Sequence, residues 1–322
     1  MTMTKKNVLA VAALALLAAA PALAQDYPKG PITLVIPLAP GDATDLAARA
    51  LGDELSRELK VPVVAANHPG AGGALGVSIV VNAQKDGYTL GLANNAGLVY
   101  RTVLDPKNAS YDSFKDLTLL ALAMRSPSIL TVRADLPYQD FAGMVRQAKA
   151  KPDSVRIGTA GVGSVGDFCV QTINALTGAG ITMVPYKGAS PAITAMRGGQ
   201  IDGVLLALGT MTGQLRDGSV RGIVISTKYP DFPQIPTLQE LGYEEPLFDI
   251  WAAFIAPAGV PAEVKAKLAP ALEHAVRSPA VAARLRPIGI LLDYAPAEKL
   301  TADMRSEMKR VSELAHRAGL VK

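Results

Sequence analysis

The stretch Ile32-Thr-Leu-Val-Ile36, followed by Pro37-Leu-Ala-Pro-Gly41-Asp-Ala-Thr-Asp45, predicts a buried strand that runs through a tight turn into a helix. The first N–H groups of a helix have no partner within the helix, and the peptide dipoles point their positive ends toward them. Such a turn can hold an anion without a charged side chain. The nature of that anion depends on where the protein resides.

The first residues have the pattern of a secretory signal. Lys5 and Lys6 precede an apolar run of about 13 residues, and Ala22-Leu23-Ala24 matches the small-x-small cleavage pattern. The run is too short to span a bilayer. We therefore interpret residues 1–24 as a cleavable signal peptide that exports the chain.

Composition excludes several classes of function. Removal of Lys5 and Lys6 lowers the formal charge from +4 to +2, and the remaining basic residues are scattered among acids, so we predict no nucleic-acid partner. The single cysteine, Cys169, cannot form an internal disulfide and is expected to be a buried apolar residue. The mature chain of about 300 residues is long enough for two domains.

Short apolar runs alternate with amphipathic segments along the chain. Strands are predicted at Ile32–Ile36, Val61–Ala65, Thr89–Ala93, Leu117–Ala123, Ile129–Val132, Val155–Thr159, Ile181–Val184, Ile201–Leu206, Gly222–Ser226 and Ala252–Ala256. Helices are predicted at Asp45–Leu59, Gln139–Ala150, Asp167–Thr177, Pro191–Arg197, Pro261–Arg277 and Pro296–His316. This alternation is typical of an α/β fold with largely parallel sheets.

Three strand-to-helix turns are rich in glycine, and we name them turns one, two and three. They are Pro37–Asp45, Asn67–Gly76 and Thr159–Gly166. Ligands of α/β sheets bind at the carboxyl ends of strands, and glycine lets a ligand approach the backbone closely. Any one of these segments could be a tight turn and nothing more. Three at similar joints favour a shared ligand cleft.

Catalytic and cofactor patterns are weak. Turn three matches G-x-G-x-x-G, but Ile181–Lys187 lacks the acidic residue that dinucleotide-binding proteins carry about 20 residues later. The three histidines have no partner at metal-ligand spacing. Ser164 lacks the first glycine of a nucleophile elbow, which leaves a secreted esterase using Ser164 with His68 as the enzymatic alternative. We predict binding without catalysis, with no catalytic residue, no metal and no cofactor.

A series of motifs, in order and at characteristic spacing, resembles the Bug family, the TctC-type solute-binding receptors of tripartite tricarboxylate transporters. The motifs are Tyr27-Pro-Lys-Gly-Pro31-Ile, Pro37-Leu-Ala-Pro-Gly41 with Asp45, Pro69-Gly-Ala-Gly-Gly73, Asp86-Gly-Tyr-Thr-Leu90, Val184-Pro-Tyr-Lys-Gly188, Gly198-Gly-Gln-Ile-Asp202, Ile235-Pro-Thr-Leu238 with Glu240-Leu-Gly242, Trp251 and Ala256-Pro-Ala-Gly259. The resemblance extends from Tyr27 to the C-terminus.

The resemblance implies a periplasmic binding protein, type II-like, with two α/β lobes and a cleft between them. It places the chain crossings near Arg125–Ser128 and Phe248–Trp251. Lobe one would then comprise 25–124 and 250–322, and lobe two 125–249. The implied partners are a small organic acid, which could be a monocarboxylate, a dicarboxylate or an amino acid, and a two-component membrane permease. A monomer is expected, and a ligand sensor for a membrane kinase is the alternative role.

The resemblance also assigns ligand-binding residues. Family members hold a carboxylate between turns one and two, and the far end of the ligand meets turn three. Carried over, this indicates Leu38, Ala39, Gly41, Asp42, Ala71, Gly72, Gly73, Gly163, Ser164, Val165 and Ala207. From the residues themselves we add Asn94 and Asn95, whose amides both donate and accept, although they could be a simple turn after a strand.

Two acids depart from the family pattern. Asp42 replaces a glycine of turn one, and Asp167 replaces a histidine after turn three; either could cap a helix. A carboxylate at Asp42 would repel a ligand carboxylate unless it met an ammonium, a hydroxyl or a protonated group. With the apolar segment 205–208, this favours a monoanionic or zwitterionic carboxylate with an apolar portion. The positions of Arg101, Arg125 and Lys187 relative to the cleft are left open.

Overall fold

The stretch Ile32–Ile36 forms an interior strand, paired on both sides. In the computed structural model, which describes residues 27–107, 110–317 and 319–321, Ile32–Ile36 is strand β1 of a six-stranded sheet. The other strands are β2 (Val63–Asn67), β3 (Thr89–Asn94), β4 (Leu117–Ser126), β10 (Ile250–Pro257) and β11 (Leu291–Pro296). Their spatial order is β2-β1-β3-β10-β4-β11. The predicted signal peptide, 1–24, lies outside the described residues.

A second sheet has five strands in the order β7-β6-β8-β5-β9. They are β5 (Ser128–Arg133), β6 (Arg156–Thr159), β7 (Thr182–Pro185), β8 (Gly203–Ala207) and β9 (Val220–Ile225). We call each sheet with its helices a lobe, the six-stranded one being the first. The predicted α/β architecture of two lobes is confirmed.

Helices cover the faces of both sheets. The first lobe has α1 (Ala43–Leu59), α2 (Ala74–Val81), α3 (Arg101–Leu104), α8 (Ala262–Arg277), α9 (Pro279–Leu285) and α10 (Ala297–Arg317). The second has α4 (Phe141–Ala150), α5 (Val165–Thr177), α6 (Ala189–Arg197) and α7 (Thr212–Arg216). Among the described residues, no helix has the length and apolarity needed to cross a membrane.

The expectation of largely parallel sheets is wrong. Strands β1, β2 and β3 are parallel, as are β6, β7 and β8, but β10 runs antiparallel to both β3 and β4, and β5 runs antiparallel to β8 and β9. A parallel neighbour requires a crossover connection on the same sheet. Strands β5 and β10 enter directly from the other lobe, so they are free of that requirement.

The first lobe's core follows the predicted periodicity of its helices. On α8, Val264, Leu268, Leu272 and Val276 recur every fourth residue, and all four are buried. On α1, buried residues likewise line the side that packs on the sheet. Burying such a stripe removes apolar area from water, which is the main favourable term for these helices.

The chain passes between the lobes twice, and a buried aromatic cluster lies beside the crossings. Pro127 separates β4 from β5, and residues 226–249 connect β9 to β10. The rings of Tyr100, Phe168 and Phe248 pack edge to face, with centroids 5.3 to 5.9 Å apart. These rings come from the first lobe, the second lobe and the second crossing, so the cluster joins the two lobes.

Some elements differ from their predicted positions. Strand β2 begins at Val63 rather than Val61, because Pro62 has no N–H and uses its carbonyl to accept from Ile32 N at 2.8 Å. Strand β11 and helices α2, α3, α7 and α9 were not predicted from the sequence. Ends of the other predicted elements differ by up to three residues.

Candidate functional site

The three glycine-rich turns converge between the lobes. A Cβ built on Gly72 of turn two would lie 3.1 Å from the carbonyl oxygen of Val162 in turn three. Ser190 Oγ, in the second lobe, donates to the carbonyl of Pro40 in turn one at 3.1 Å. The two lobes therefore touch at these turns. The space available to a ligand lies next to these contacts, in two cavities that the turns line.

Turn one is held by its own acids. Asp42 caps α1 by accepting from Thr44 N at 2.9 Å, and Asp45 Oδ2 accepts from Gly41 N at 2.9 Å. Asn67 donates to the Asp45 carboxylate and to the carbonyl of Leu38, both at 2.9 Å. The carboxylates thus occupy the N–H groups of Gly41 and Thr44, which lowers the attraction of this helix start for an outside anion.

An inner cavity of about 20 Å³ lies beneath the turns. It has room for roughly one water molecule. The lining residues are Leu38, Asp42, Gly72, Asn94, Ala160, Ser164, Val165, Gly166, Leu205, Leu206, Ala207 and Ile250. Asp42 is the only charged residue among them, so this cavity combines one acid with an apolar wall.

The acid of the inner cavity is electrostatically unusual. Only 7 % of Asp42 is exposed, and burial raises the pKa of its carboxyl to about 6, against the lowering effect of its hydrogen bonds to Thr44. Nearby Asp45 raises this pKa further. Near neutral pH the cavity holds a poorly solvated carboxylate, which favours a hydrogen-bond donor or a cation beside it.

Asn94 and Ser164 supply the other polar side chains of the inner cavity. Asn94 Oδ1 accepts from Gly97 N at 3.4 Å, and its amide group can donate. Ser164 Oγ caps α5 by accepting from Asp167 N at 3.2 Å, which leaves its hydroxyl hydrogen to donate elsewhere. Both side chains are buried.

An outer cavity of about 250 Å³ adjoins the inner one, and Leu38, Gly72 and Ala160 line both. The remaining lining residues are Ala39, Pro69, Gly70, Ala71, Gly73, Arg101, Gly161, Val162, Pro185, Tyr186, Lys187 and Gly188. The charged members of this set, Arg101 and Lys187, are both basic. The two cavities therefore differ in the sign of their charge.

The sequence-predicted site residues are distributed as follows. The inner cavity contains Leu38, Asp42, Gly72, Asn94, Ser164, Val165 and Ala207, and the outer cavity contains Leu38, Ala39, Ala71, Gly72 and Gly73. Gly41 and Gly163 line neither cavity. Gly41 lies against Ser190 Oγ, and Gly163 lies against Gly72.

Asn95 differs from its expected position. Its amide nitrogen donates to the Asp249 carbonyl and to Glu307 Oε1, each at 3.0 Å, and its Oδ1 accepts from Trp251 N at 3.4 Å. The side chain is thus committed to the second crossing rather than to either cavity. Although Asn94 and Asn95 are adjacent in the chain, Asn94 lines the inner cavity and Asn95 lines neither cavity.

Asp167, which departs from the family pattern after turn three, has a structural role. Asp167 accepts from Gly163 N at 2.8 Å and from Gln171 Nε2 at 2.7 Å, and so holds turn three; burial raises its pKa. Of the described residues that line the cavities, none is a histidine that could serve Ser164. Across the described ranges, His, Cys, Asp and Glu form no group of three suited to a metal ion.

The sequence left open whether Arg101, Arg125 and Lys187 reach the cleft, and the structure places Arg101 and Lys187 in the lining of the outer cavity. Lys187 belongs to the Val184-Pro-Tyr-Lys-Gly188 motif, which gave a signal that was not developed. Arg101 follows a π-helical turn, Ala96–Tyr100, which no local pattern indicated. Arg125 lies elsewhere, in a separate cavity beside Trp251 and Glu307, and pairs with Asp293 at 2.5 Å.

Comparisons with known proteins agree with this architecture. The model of the family described as "Tripartite tricarboxylate transporter family receptor" (TctC) matches residues 47–320. A UPF0065 protein in the TAR-I ttuE-ttuC' intergenic region of Agrobacterium vitis is 34% identical over 304 residues, covering 92% of this chain and 87% of that protein. Protein BugT of Bordetella pertussis is 30% identical over 304 residues, covering 94% of this chain and 93% of BugT.

Solved structures show the same fold. Periplasmic binding protein BugD superposes with a TM-score of 0.85 at 28% identity, covering 91% of this chain and 99% of BugD. R. palustris Rpa4515 with adipate has a TM-score of 0.84 at 28% identity, covering 91% and 99%. MatC from Rhodopseudomonas palustris with bound malate has a TM-score of 0.84 at 29% identity, covering 89% and 99%. This chain therefore belongs to the TctC, or Bug, family of periplasmic solute-binding receptors.

Proposed function

We propose that this protein captures a small organic carboxylate between its two lobes in the periplasm and delivers it to a two-component membrane permease. The observation that carries the proposal is that the glycine-rich turns of both lobes line one pair of connected cavities. A solute held there contacts both lobes at once, so binding stabilises their contact. The adipate and malate found in two structural relatives support the ligand class.

The same proposal covers the domain organisation and export. Residues 1–24 are a signal peptide that is removed, residues 25–124 and 250–322 form lobe one, and residues 125–249 form lobe two. The distribution of strands supports these boundaries, because β1–β4, β10 and β11 share one sheet and β5–β9 share the other. The mature protein acts as a monomer, with the lobes hinging at the two crossings.

The chemistry of the inner cavity narrows the ligand class. A buried Asp42 beside Asn94 and Ser164 favours a donor at the inner end of the ligand, such as a hydroxyl or an ammonium. The apolar wall of Leu205, Leu206 and Ala207 favours an uncharged rather than a charged group beside that donor, and the small volume admits only this end of the ligand. A tricarboxylate such as citrate would place further negative charge near Asp42, so we expect it to bind poorly.

Binding and turnover can be separated in one experiment. The mature protein is titrated calorimetrically with adipate, malate, benzoate, leucine and citrate, and the solutes are analysed by mass spectrometry afterwards. We expect at least one non-citrate carboxylate to bind, to raise the melting temperature and to be recovered unchanged. Chemical conversion of the solute, or tight binding of citrate alone, would contradict the proposal.

A matched pair of glycine variants tests whether the cavities hold the solute. Gly72 (φ +64°) and Gly178 (φ +65°) share a left-handed backbone, but a Cβ at Gly72 meets Val162 and Gly163 whereas a Cβ at Gly178 meets nothing within 4 Å. Gly72→Ala should weaken binding about tenfold or more, while Gly178→Ala should carry only the similar backbone cost of about 1 kcal/mol in stability. Equal affinity of the two variants would place the solute elsewhere.

Uptake of the labelled solute by cells with and without the receptor tests delivery to the permease.

A further inference from the structure

Arg101 occupies a fixed position at the edge of the outer cavity. It follows the π-helical turn Ala96–Tyr100, and the ring of Tyr100 is fully buried in the aromatic cluster. Tyr111 Oη donates to the carbonyl of Gly97 at 2.6 Å, and Ser113 Oγ donates to that of Leu98 at 2.8 Å. The backbone that leads to Arg101 is therefore anchored by the aromatic cluster and by Tyr111 and Ser113, while the side chain itself is restrained by its ion pair with Asp105.

The guanidinium is only partly satisfied by the protein. One terminal nitrogen pairs with Asp105 Oδ2 at 2.9 Å, and 18% of the side chain is exposed. Its Nε is buried and has no hydrogen-bond partner in the structure. Because the side chain lines the outer cavity and the ion pair with Asp105 uses only one terminal nitrogen, terminal N–H groups remain that can donate a charge-assisted hydrogen bond to a carboxylate oxygen there.

Charge across the two cavities gives a ligand a direction. Arg101 and Lys187 line the outer cavity, and Asp42 lines the inner one. Like charge repels a carboxylate from the inner end, and opposite charge attracts it to the outer end, where water is partly excluded and the interaction is less screened. Of the two cations Lys187 is exposed, so Arg101 is the better-placed partner.

We propose that Arg101 is a specificity-determining residue that binds the carboxylate of the solute in the outer cavity, with Asp42 directing the opposite, donor-bearing end of the solute inward. This inference rests on the proposed function, since it assigns a residue and an orientation to the same ligand. It distinguishes this chain from a site that holds its anion through backbone amides alone.

The test compares four variants by calorimetric titration with adipate, malate and hexanoate, using whichever probe binds the wild-type mature protein most tightly. Arg101→Gln should lower affinity about tenfold to a hundredfold, and Arg101→Lys should retain part of it. Asp105→Asn releases the guanidinium from its ion pair, so affinity should be maintained or increased. Arg284→Gln, which breaks an exposed Arg–Asp pair with Asp53, is the matched control and should change nothing.

Each outcome decides a different point. If Arg101→Gln binds within twofold of the wild type, Arg101 does not contact the solute, while the proposed function stands. If Asp105→Asn weakens binding as much as Arg101→Gln does, the pair only supports the turn, and the inference is again overturned. If neither these probes nor benzoate or leucine binds the wild-type protein, the proposed function fails and this inference fails with it. Melting curves of all variants confirm folding.

Discussion

The inner and outer cavities share three lining residues yet have opposite character. The inner one is small and has an apolar wall with a single acid, Asp42. The outer one is larger and basic, and its walls are largely the backbone of turns one, two and three. The same turns line both cavities, but the other residues that complete each cavity differ. Those neighbouring residues, rather than the turns, therefore set the charge and the rigidity of each cavity.

The largest expected effect on stability comes from the aromatic cluster that joins the lobes. Phe168 is fully buried against Tyr100 and Phe248, with ring centroids 5.3 and 5.5 Å away. Phe168→Ala leaves a cavity in this cluster and should lower the free energy of unfolding by about 3–5 kcal/mol, measured by urea denaturation. Val162→Ala, at a side chain that is 58% exposed in the outer wall, should change it by less than about 0.5 kcal/mol. Similar losses of stability in both variants would show that the aromatic cluster is no more rigid than the wall of the outer cavity.

The charge of the inner cavity gives the next largest effect. Because the pKa of Asp42 is raised from 3.8 to about 6, the folded protein binds more protons than the unfolded chain between these values. Ionised Asp42 therefore destabilises the fold, by about 3 kcal/mol once the pH exceeds 6, and this cost fades as the pH falls towards 4. Asn keeps the cap, so Asp42→Asn should raise the free energy of unfolding by about 2–3 kcal/mol at pH 8 and by much less at pH 4.5.

Thermal and urea denaturation across this pH range provide the measurement. Asp140→Asn serves as the control, because Asp140 caps α4 in the same way from an exposed position, accepting from Gly143 N at 2.7 Å. We expect it to change stability by less than about 0.5 kcal/mol at either pH. A gain for Asp42→Asn that does not vary with pH would show that burial of the charge is not its source.

Two glycines of turn three compare the inner cavity with a position of the same turn that lines neither cavity. A Cβ on Gly166, which lines the inner cavity, would lie 2.3 Å from the carbonyl oxygen of Leu205, whereas a Cβ on Gly163 meets nothing within 4 Å. Gly166→Ala should therefore destabilise the protein by about 2 kcal/mol through overpacking. Gly163→Ala should cost about 1 kcal/mol from its φ of +77° alone. The reverse order, measured by urea denaturation, would mean that α5 does not pack tightly on β8.

The smallest effect concerns the second cation of the outer cavity. Lys187 is exposed, so its attraction for a bound carboxylate is screened by solvent and salt. Lys187→Gln should weaken binding of the best carboxylate probe by about threefold or less at low ionic strength, and the difference should vanish in about 0.5 M salt. A loss as large as that of Arg101→Gln would give the two cations equal parts in recognition.

Patterns of neighbouring residues predict much of the secondary structure, and the elements they miss have identifiable reasons. The alternation of apolar and amphipathic segments predicted most strands and helices, and the capping role of Asp42 was among the alternatives that the sequence left open. Strand β11 was missed because it is an edge strand with no clear alternation, its residues running from exposed Leu291 to buried Ala295. Helix α2 was missed because it is short and nearly all apolar, which gives no helical period.

Asn94 and Asn95 mark the limit of prediction within the site. Asn94 ends β3 and Asn95 follows it, and the two have the same chemistry, yet Asn94 lines the inner cavity while Asn95 holds the second crossing through Asp249 and Glu307. The partners of Asn95 are more than 150 residues away in the sequence, on elements that meet it only in the folded chain, whereas Asn94 accepts from Gly97 N, three residues along the chain. A pattern confined to neighbouring residues therefore gave both the same role.

The sequence by itself determined where the glycine-rich turns lie and which strand and helix each one connects, because glycine conformation, helix capping and apolar periodicity depend on near neighbours in the chain. Only the tertiary structure decided the charge of each cavity. Arg101 reaches the outer cavity through a π-helical turn anchored on a buried ring, and Asp42 has its raised pKa because residues from both lobes exclude water from it. Desolvation depends on everything packed around a group, and that surrounding set is assembled only when the lobes fold and meet.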